Sequence, residues 1–225
     1  MAPQIGAFIF DMDGTLVDSE DYSGRAIESL AAEQGLGPRP VERSRFEGVT
    51  WNEAEAAVVE VYPELTGKPL ARKLQELFND LLLQEPPRLI GGAEQALTAA
   101  SQAMPTALVS SSNRDTVQLL LGRRGLLDRF QVIICAEDCT RSKPDPECYL
   151  KAAQRLGCWA DRCLVFEDSI VGLQAAGAAG LRTMAIARGR RGQAAQKIRC
   201  LADAWIDDFT ALEPGFFAQA GALTT

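Results

Sequence analysis

The run Phe8-Ile9-Phe10 is apolar at every position and stops abruptly at Asp11-Met12-Asp13-Gly14-Thr15-Leu16-Val17-Asp18-Ser19. A strand with no polar alternation needs cover on both faces, which points to a parallel sheet between two helical layers. The strand ends in two aspartates one residue apart. Alternate side chains of an extended chain point the same way, and Gly14 permits a tight turn just beyond, so either path crowds Asp11 and Asp13. Crowded carboxylates gain little from each other, and a divalent cation between them makes the arrangement sensible. A plainer reading stands beside this one, because aspartate after a strand caps helices and Asp-Gly makes turns.

The rest of the chain bears on that choice. From residue 90 onward helices and strands alternate strictly, the signature of a parallel α/β sheet covered on both faces. Helices are expected at 92–101, from Ser112 or Asn113 to 121, at 146–156, at 170–179 and near 209–212. Strands are expected at 106–109, 132–135, 163–166, 183–187 and 205–206. Two of these strands run directly into polar clusters, Ser110-Ser111-Ser112-Asn113 and Glu167-Asp168-Ser169. Residues 19–86 differ in character. Apolar spacing predicts helices over 19–33, 51–61 and 70–83, with Thr50 and Glu53 as a capping box and Pro63 and Pro86-Pro87 as stops. No strand is expected there, and the block reads as a small all-helical insert.

Composition limits the classes of function. With 225 residues, 47% of them apolar, the chain can bury a sizeable core. A net charge of −7 with scattered arginines argues against a nucleic-acid surface. No uncharged apolar run of about 18 residues occurs, and residues 1–5 lack the basic start and apolar core of a signal peptide. A cytoplasmic protein that touches no membrane is expected, and nothing demands more than a monomer. The six cysteines fall in the second half in apolar or helical contexts, which favours reduced core thiols. Cys135 with Cys139, or Cys158 with Cys163, have the elements for zinc. The absence of histidine and the irregular spacing argue against it.

In open α/β sheets ligands bind outside the carboxyl ends of the strands, where these clusters would gather. Asp11, Asp13, Glu167 and Asp168 offer hard oxygen donors and no nitrogen or sulfur, a set that suits Mg²⁺. Lys143, in Arg141-Ser142-Lys143-Pro144-Asp145-Pro146, precedes a helix and has a proline after it, so its amine can turn back to the same rim. Ser110, Ser111 and Asn113, with the backbone amides at the helix start, can hydrogen-bond phosphate oxygens. Each cluster alone has a structural reading as a cap or a solvated loop. Four of them at successive strand ends do not share one.

Asp11-x-Asp13-Gly14-Thr15-Leu16-Val17-Asp18-Ser19, Leu108-Val109-Ser110, Lys143-Pro144 and Glu167-Asp168-Ser169 resemble, in order and spacing, the four motifs of the haloacid dehalogenase superfamily. Over nearly the whole chain the resemblance is to its β-phosphoglucomutase and phosphoglycolate phosphatase branch. It implies a Rossmann-like phosphatase core from 1–17 and 87–225, with 18–86 as a helical cap. It also implies a small phosphorylated metabolite as substrate, a sugar or polyol phosphate. Asp11 would attack phosphorus and form an aspartyl-phosphate, and Asp13 would protonate the leaving alkoxide and then activate water. Ser110 and Lys143 would hold the transferring group. Mg²⁺ would sit on Asp11, Asp13, Glu167 and Asp168, with the Asp13 carbonyl as a further ligand, while Thr15 would orient Asp13.

Asp13 separates this chain from the 2-haloacid dehalogenases, which need no acid there, and the lack of any lysine before Lys68 separates it from the phosphonoacetaldehyde hydrolases. A sugar phosphomutase is the alternative enzyme. Mutases of that branch grip the far phosphate with an arginine shortly after a Gly-Val pair, whereas Gly48-Val49-Thr50 here is followed by Trp51, leaving Arg43, Arg45 or Lys68 as substitutes. A catalytically silent binding module is the third reading, against which the intact Asp11 and Asp13 weigh. Trp51 reads as core packing, and Arg188, Arg190 and Arg191 read as a solvated loop.

Overall fold

The computed structural model describes residues 4–42, 45–46 and 48–222. Strands β1 (Ala7–Phe10), β2 (Thr106–Val109), β3 (Val132–Ile134), β4 (Cys163–Glu167), β5 (Arg182–Ile186) and β6 (Ala204–Ile206) form one parallel sheet in the order β3-β2-β1-β4-β5-β6. The helices are α1 (Glu20–Glu33), α2 (Trp51–Val61), α3 (Ala71–Gln84), α4 (Ala93–Ala103), α5 (Arg114–Leu120), α6 (Glu147–Leu156), α7 (Ile170–Ala178), α8 (Gly192–Leu201) and α9 (Phe216–Ala222). The fold is therefore the expected Rossmann-like α/β architecture.

β1 is apolar throughout because it feeds two cores. Phe8 and Phe10 enter one with Leu97, Leu108, Phe166 and Phe217, and Phe10 stacks on Phe166 with ring centroids 4.8 Å apart. Ala7 and Ile9 enter the other, with Val109, Val165, Tyr149 and Ala152. Its register then sets the site. Phe10 pairs with Leu108 on one side and Phe166 on the other, so Asp11, Ser110 and Glu167 emerge at one carboxyl edge.

Helices α1 to α3 share a separate core of Ile27, Leu30, Val58, Tyr62, Leu65 and Leu74. The capping box is in place at the start of α2, where the Thr50 N–H donates to Glu53 Oε2 at 3.0 Å. The chain leaves for this block and returns side by side: Val17 and Leu89 form an antiparallel bridge, and the Asp18 N–H donates to the Arg88 carbonyl at 2.8 Å. Helices α8 and α9 were not expected. α8 buries little more than Ala195 and Ile198, too sparse a stripe to read from spacing. Among the described residues, no helix is long and apolar enough to cross a membrane.

All six cysteines are free, with Cys135, Cys148 and Cys163 buried and Cys200 exposed. Burial pushes the thiols of Cys135 and Cys148 up to about 11, and that of Cys163 higher still. Thiolates do the reacting. Iodoacetamide at pH 8 is therefore expected to modify Cys200 first and to spare Cys135, Cys148 and Cys163 until denaturant is added. Peptide mass spectrometry reads the order, and fast native labelling of Cys163 would contradict it.

Candidate active site

Asp11 directly follows β1, and its N–H donates to the Phe166 carbonyl at 3.0 Å, fixing where the side chain starts. Lys143 arrives from the loop before α6, on a cis Lys143–Pro144 peptide. Its Nζ lies 2.6 Å from Asp11 Oδ1 and 2.8 Å from Glu167 Oε1, and all three residues are buried. Glu167 uses both oxygens inside the protein. Oε1 also accepts from the Tyr149 hydroxyl at 3.3 Å, and Oε2 accepts from the Ser169 N–H at 2.6 Å and its hydroxyl at 3.0 Å. Gly172 makes this possible, because a Cβ there would come within 1.7 Å of Glu167 Oε1.

Burial pulls the Lys143 ammonium down, but the carboxylates of Asp11 and Glu167 outweigh it and hold the group well above the usual lysine range. Lys143 stays charged. Burial raises the Asp11 carboxyl well above its ordinary value against the pull of Lys143, with Glu167 and Asp168 adding to the rise.

Asp13 sits among hydroxyls instead of cations. Ser19 Oγ donates to its Oδ1 at 2.7 Å, and Ser112 and Ser110 donate to Oδ2 at 2.8 and 3.4 Å. Burial raises its pKa, opposed by those three serines. Two carboxyl groups two residues apart therefore stand in different surroundings, one against an ammonium and one against neutral donors.

The other expected site residues divide. Asp168 joins the cluster, accepting from Thr15 Oγ1 at 3.1 Å. Thr15 thus braces Asp168, whereas the sequence suggested Asp13. Ser110 is buried beside Asp13, and Ser111 lines the cavity and donates to the Gly48 carbonyl at 2.8 Å, tying β2's end to the helical block. Asn113 is not brought in. Its Oδ1 caps α5, accepting from the Thr116 N–H at 2.9 Å and hydroxyl at 2.7 Å, and the residue does not line the cavity.

The arginine loop differs from expectation. Arg190 donates to the Asp168 carbonyl at 2.7 Å and to its Oδ2 at 2.9 Å, and Arg188 pairs with Asp18 where the chain leaves the core. Both side chains are largely covered; Arg191 alone keeps the solvated role. Ser19, Ser112, Tyr149 and Arg190 carried no signal as partners, since each meets its carboxylate only through the tertiary fold.

A cavity of about 70 Å³ opens over Asp11, Asp13 and Asp168, walled by Ser23, Phe46, Val49, Trp51, Gln75 and Phe78 from the helical block. Trp51 packs edge-on against Phe78, centroids 5.8 Å apart, so it serves both packing and the cavity wall. Arg45 pairs with Glu60 at 2.6 Å and Lys68 donates to Gln34 at 2.6 Å, away from the cavity; Arg43 lies outside the described residues.

A hard divalent cation suits this donor set. The four carboxylates outnumber the two basic groups bonded to them, Lys143 and Arg190. Gly14, at φ 83°, leaves the room that Asp168 fills, since a Cβ there would meet Oδ2 at 2.2 Å. Among the described residues no three acidic or cysteine side chains converge on one point. A cation here would thus need main-chain or solvent oxygens besides Asp11 and Asp168.

The comparisons with known proteins follow the same outline. Over 184 residues the chain is 31% identical to fructose-1-phosphate phosphatase of Escherichia coli (strain K12), covering 80% of this chain and 96% of that one. It is 31% identical to a phosphorylated carbohydrates phosphatase of Thermotoga maritima, covering 78% and 82%. A β-phosphoglucomutase from Clostridium difficile superposes with a TM-score of 0.80 over 97% of each chain at 22% identity, a likeness of fold. Residues 5–180 match the haloacid dehalogenase-like hydrolase family, a span that holds every strand end meeting at Asp11. The chain belongs to the haloacid dehalogenase-like hydrolases.

Proposed function

We propose that this haloacid dehalogenase-like phosphatase is a Mg²⁺-dependent phosphomonoesterase of a small metabolite, a sugar or polyol phosphate, working through an aspartyl-phosphate at Asp11. The observation that carries the reading is the contrast between the two aspartates at the cavity floor, Asp11 on Lys143 and Asp13 on three serines. Carboxyl groups in unlike surroundings take unlike roles. The named relatives, phosphatases of fructose 1-phosphate and of phosphorylated carbohydrates, support the substrate class.

Lys143 holds Asp11 Oδ1, leaving Oδ2 to attack phosphorus. As the Oδ2–P bond forms, the bond from phosphorus to the ester oxygen breaks, and Asp13 in its protonated form, which burial favours, gives its proton to the leaving alkoxide. Asp13, now a carboxylate, takes a proton from water. That water attacks phosphorus, the P–Oδ2 bond breaks, and phosphate leaves with Asp11 restored. Ser110, Ser111 and Lys143 present donors to the phosphoryl oxygens. Bound Mg²⁺, held by Asp11, Asp168 and the Asp13 carbonyl, would offset the negative charge of the phosphoryl group. Glu167 braces Lys143, and residues 18–86 act as the cap that closes the site from water.

Phosphate release from a panel of phosphomonoesters tests this. Turnover is expected with Mg²⁺, loss with EDTA and recovery on adding excess Mg²⁺. Silence across the whole panel would sink the reading.

A further inference from the structure

Arg190 belongs to none of the four motifs that make the site, yet it reaches the site from the loop after β5. Its turn is tight. The Arg190 N–H donates to the Ala187 carbonyl at 2.9 Å, and the two residues between them, Arg188 at φ 52° and Gly189 at φ 65°, are both left-handed. Glycine takes that conformation freely, whereas arginine takes it at a cost that the surrounding structure has to meet. Here the end of β6 does so. The Ala187 N–H donates to the Ile206 carbonyl at 2.7 Å, the Arg188 N–H to the Asp207 carbonyl at 2.9 Å and the Gly189 N–H to Asp207 Oδ1 at 3.2 Å. The turn so held directs Arg190 back to the end of β4.

There the guanidinium grips one residue twice. One terminal nitrogen donates to the Asp168 carbonyl at 2.7 Å and the other to Asp168 Oδ2 at 2.9 Å, while Thr15 Oγ1 donates to Oδ1 at 3.1 Å. A rigid fork that binds both the main chain and the carboxylate of one residue fixes the side chain against its own backbone. That matters because the cation has few carboxylates to use. A carboxylate offers about four acceptor sites, and Glu167 fills as many with Lys143, Tyr149 and the two donors of Ser169. The ligand set proposed above, Asp11, Asp168 and the Asp13 carbonyl, therefore holds two carboxylates, and a misplaced Asp168 would remove one of them. The guanidinium is also a positive charge, which taken alone repels a dication. Four carboxylates against Lys143 and Arg190 keep the site attractive with Arg190 in place.

We infer that Arg190 is a positioning residue of the metal site: its guanidinium fixes the orientation of Asp168 and so strengthens the binding of Mg²⁺. This rests on the Mg²⁺-dependent reading above and extends it to a residue outside the four motifs. The action of Arg190 on the cation runs through Asp168. Fork and charge have opposite signatures, since losing the fork weakens Mg²⁺ binding and losing the charge tightens it.

The test is Arg190→Lys, which keeps the charge and lacks the planar fork. Mn²⁺ binding is read as loss of the free-ion electron paramagnetic resonance signal, and its displacement by Mg²⁺ gives the affinity for both ions. The variant is expected to bind each about 10- to 100-fold more weakly, the scale on which partners of metal ligands act. Its thermal midpoint in EDTA should match that of the wild-type protein, which separates positioning from a general loss of structure. Phosphate release should fall at limiting Mg²⁺ and return at saturating Mg²⁺, a change in the metal requirement with kcat kept. Equal affinity in Arg190→Lys overturns the inference. Arg190→Met, which removes fork and charge together, decides the matter if the lysine variant does not fold: weaker binding supports the inference, and equal or tighter binding overturns it. If the wild-type protein binds neither ion, the metal reading itself falls. If it binds them and the variants bind them as well, the inference alone falls.

Discussion

Asparagine in place of Asp11 is expected to abolish phosphate release while leaving the protein folded. The loss should reach a factor on the order of 10⁴ or more, the scale seen when a covalent nucleophile is removed. An amide oxygen of nearly the same shape cannot form the acyl phosphate, so position alone does not rescue it. Stability should hold, because the substitution takes one carboxylate from a buried cluster that already has more acid than base. Burial and the charges of Glu167 and Asp168 act against the Asp11 carboxylate, and Lys143 keeps Glu167 at 2.8 Å once Asp11 is neutral. The measurements are phosphate release with Mg²⁺ and the thermal midpoint. Borohydride quenching of the wild-type protein during turnover should reduce the acyl phosphate and mark the peptide carrying residue 11. Full activity in Asp11→Asn, or a mark on another aspartate, would refute the covalent route.

The same cluster shows what the sequence could and could not disclose. The strands were legible because β1 is apolar at every position and β2 and β4 are so apart from Thr106 and Glu167 at their ends, a pattern that a doubly covered sheet requires. The site's skeleton was legible for a related reason: Asp11 and Ser110 directly follow such strands and Glu167 ends one, and parallel register brings strand ends to one edge. What stayed hidden depends on distance in sequence. Tyr149 meets Glu167 from 18 residues away and Ser112 meets Asp13 from 99, and no local spacing announces either pair. Arg190 looked like one of a solvated charge run because its partner, Asp168, is 22 residues upstream on another strand's end. Asn113 misled in the opposite sense. A polar residue beside a candidate phosphate loop reads as part of the site, while the local rule for helix starts gives its engagement as the N-cap of α5.

Replacing Lys143 with methionine should have the opposite signature to Asp11→Asn, because it removes the base instead of an acid. Methionine matches the length and can pack against the Tyr149 ring, 5.2 Å from Nζ, so little space is lost. Asp11 and Glu167 would then remain buried with no ammonium between them. Breaking a buried pair in this way costs about 3 to 5 kcal/mol, which for a chain of this size lowers the thermal midpoint by about 10 °C. Activity should fall with it, since Lys143 also faces the phosphoryl group in the proposed chemistry. The pH dependence follows from sign. The Asp11 carboxyl is raised in the folded protein mainly by burial, with Lys143 the chief opposing influence. Without that ammonium the folded-state value rises further above its unfolded value. A group raised on folding contributes stability below its unfolded pKa and loses it as pH climbs through the folded one. The deficit of Lys143→Met relative to wild type should therefore be smaller at pH 5 than at pH 8, both measured in EDTA by thermal unfolding. Equal midpoints at pH 8, or a deficit that widens on acidification, would show that Lys143 does not neutralise the buried carboxylates as its geometry implies.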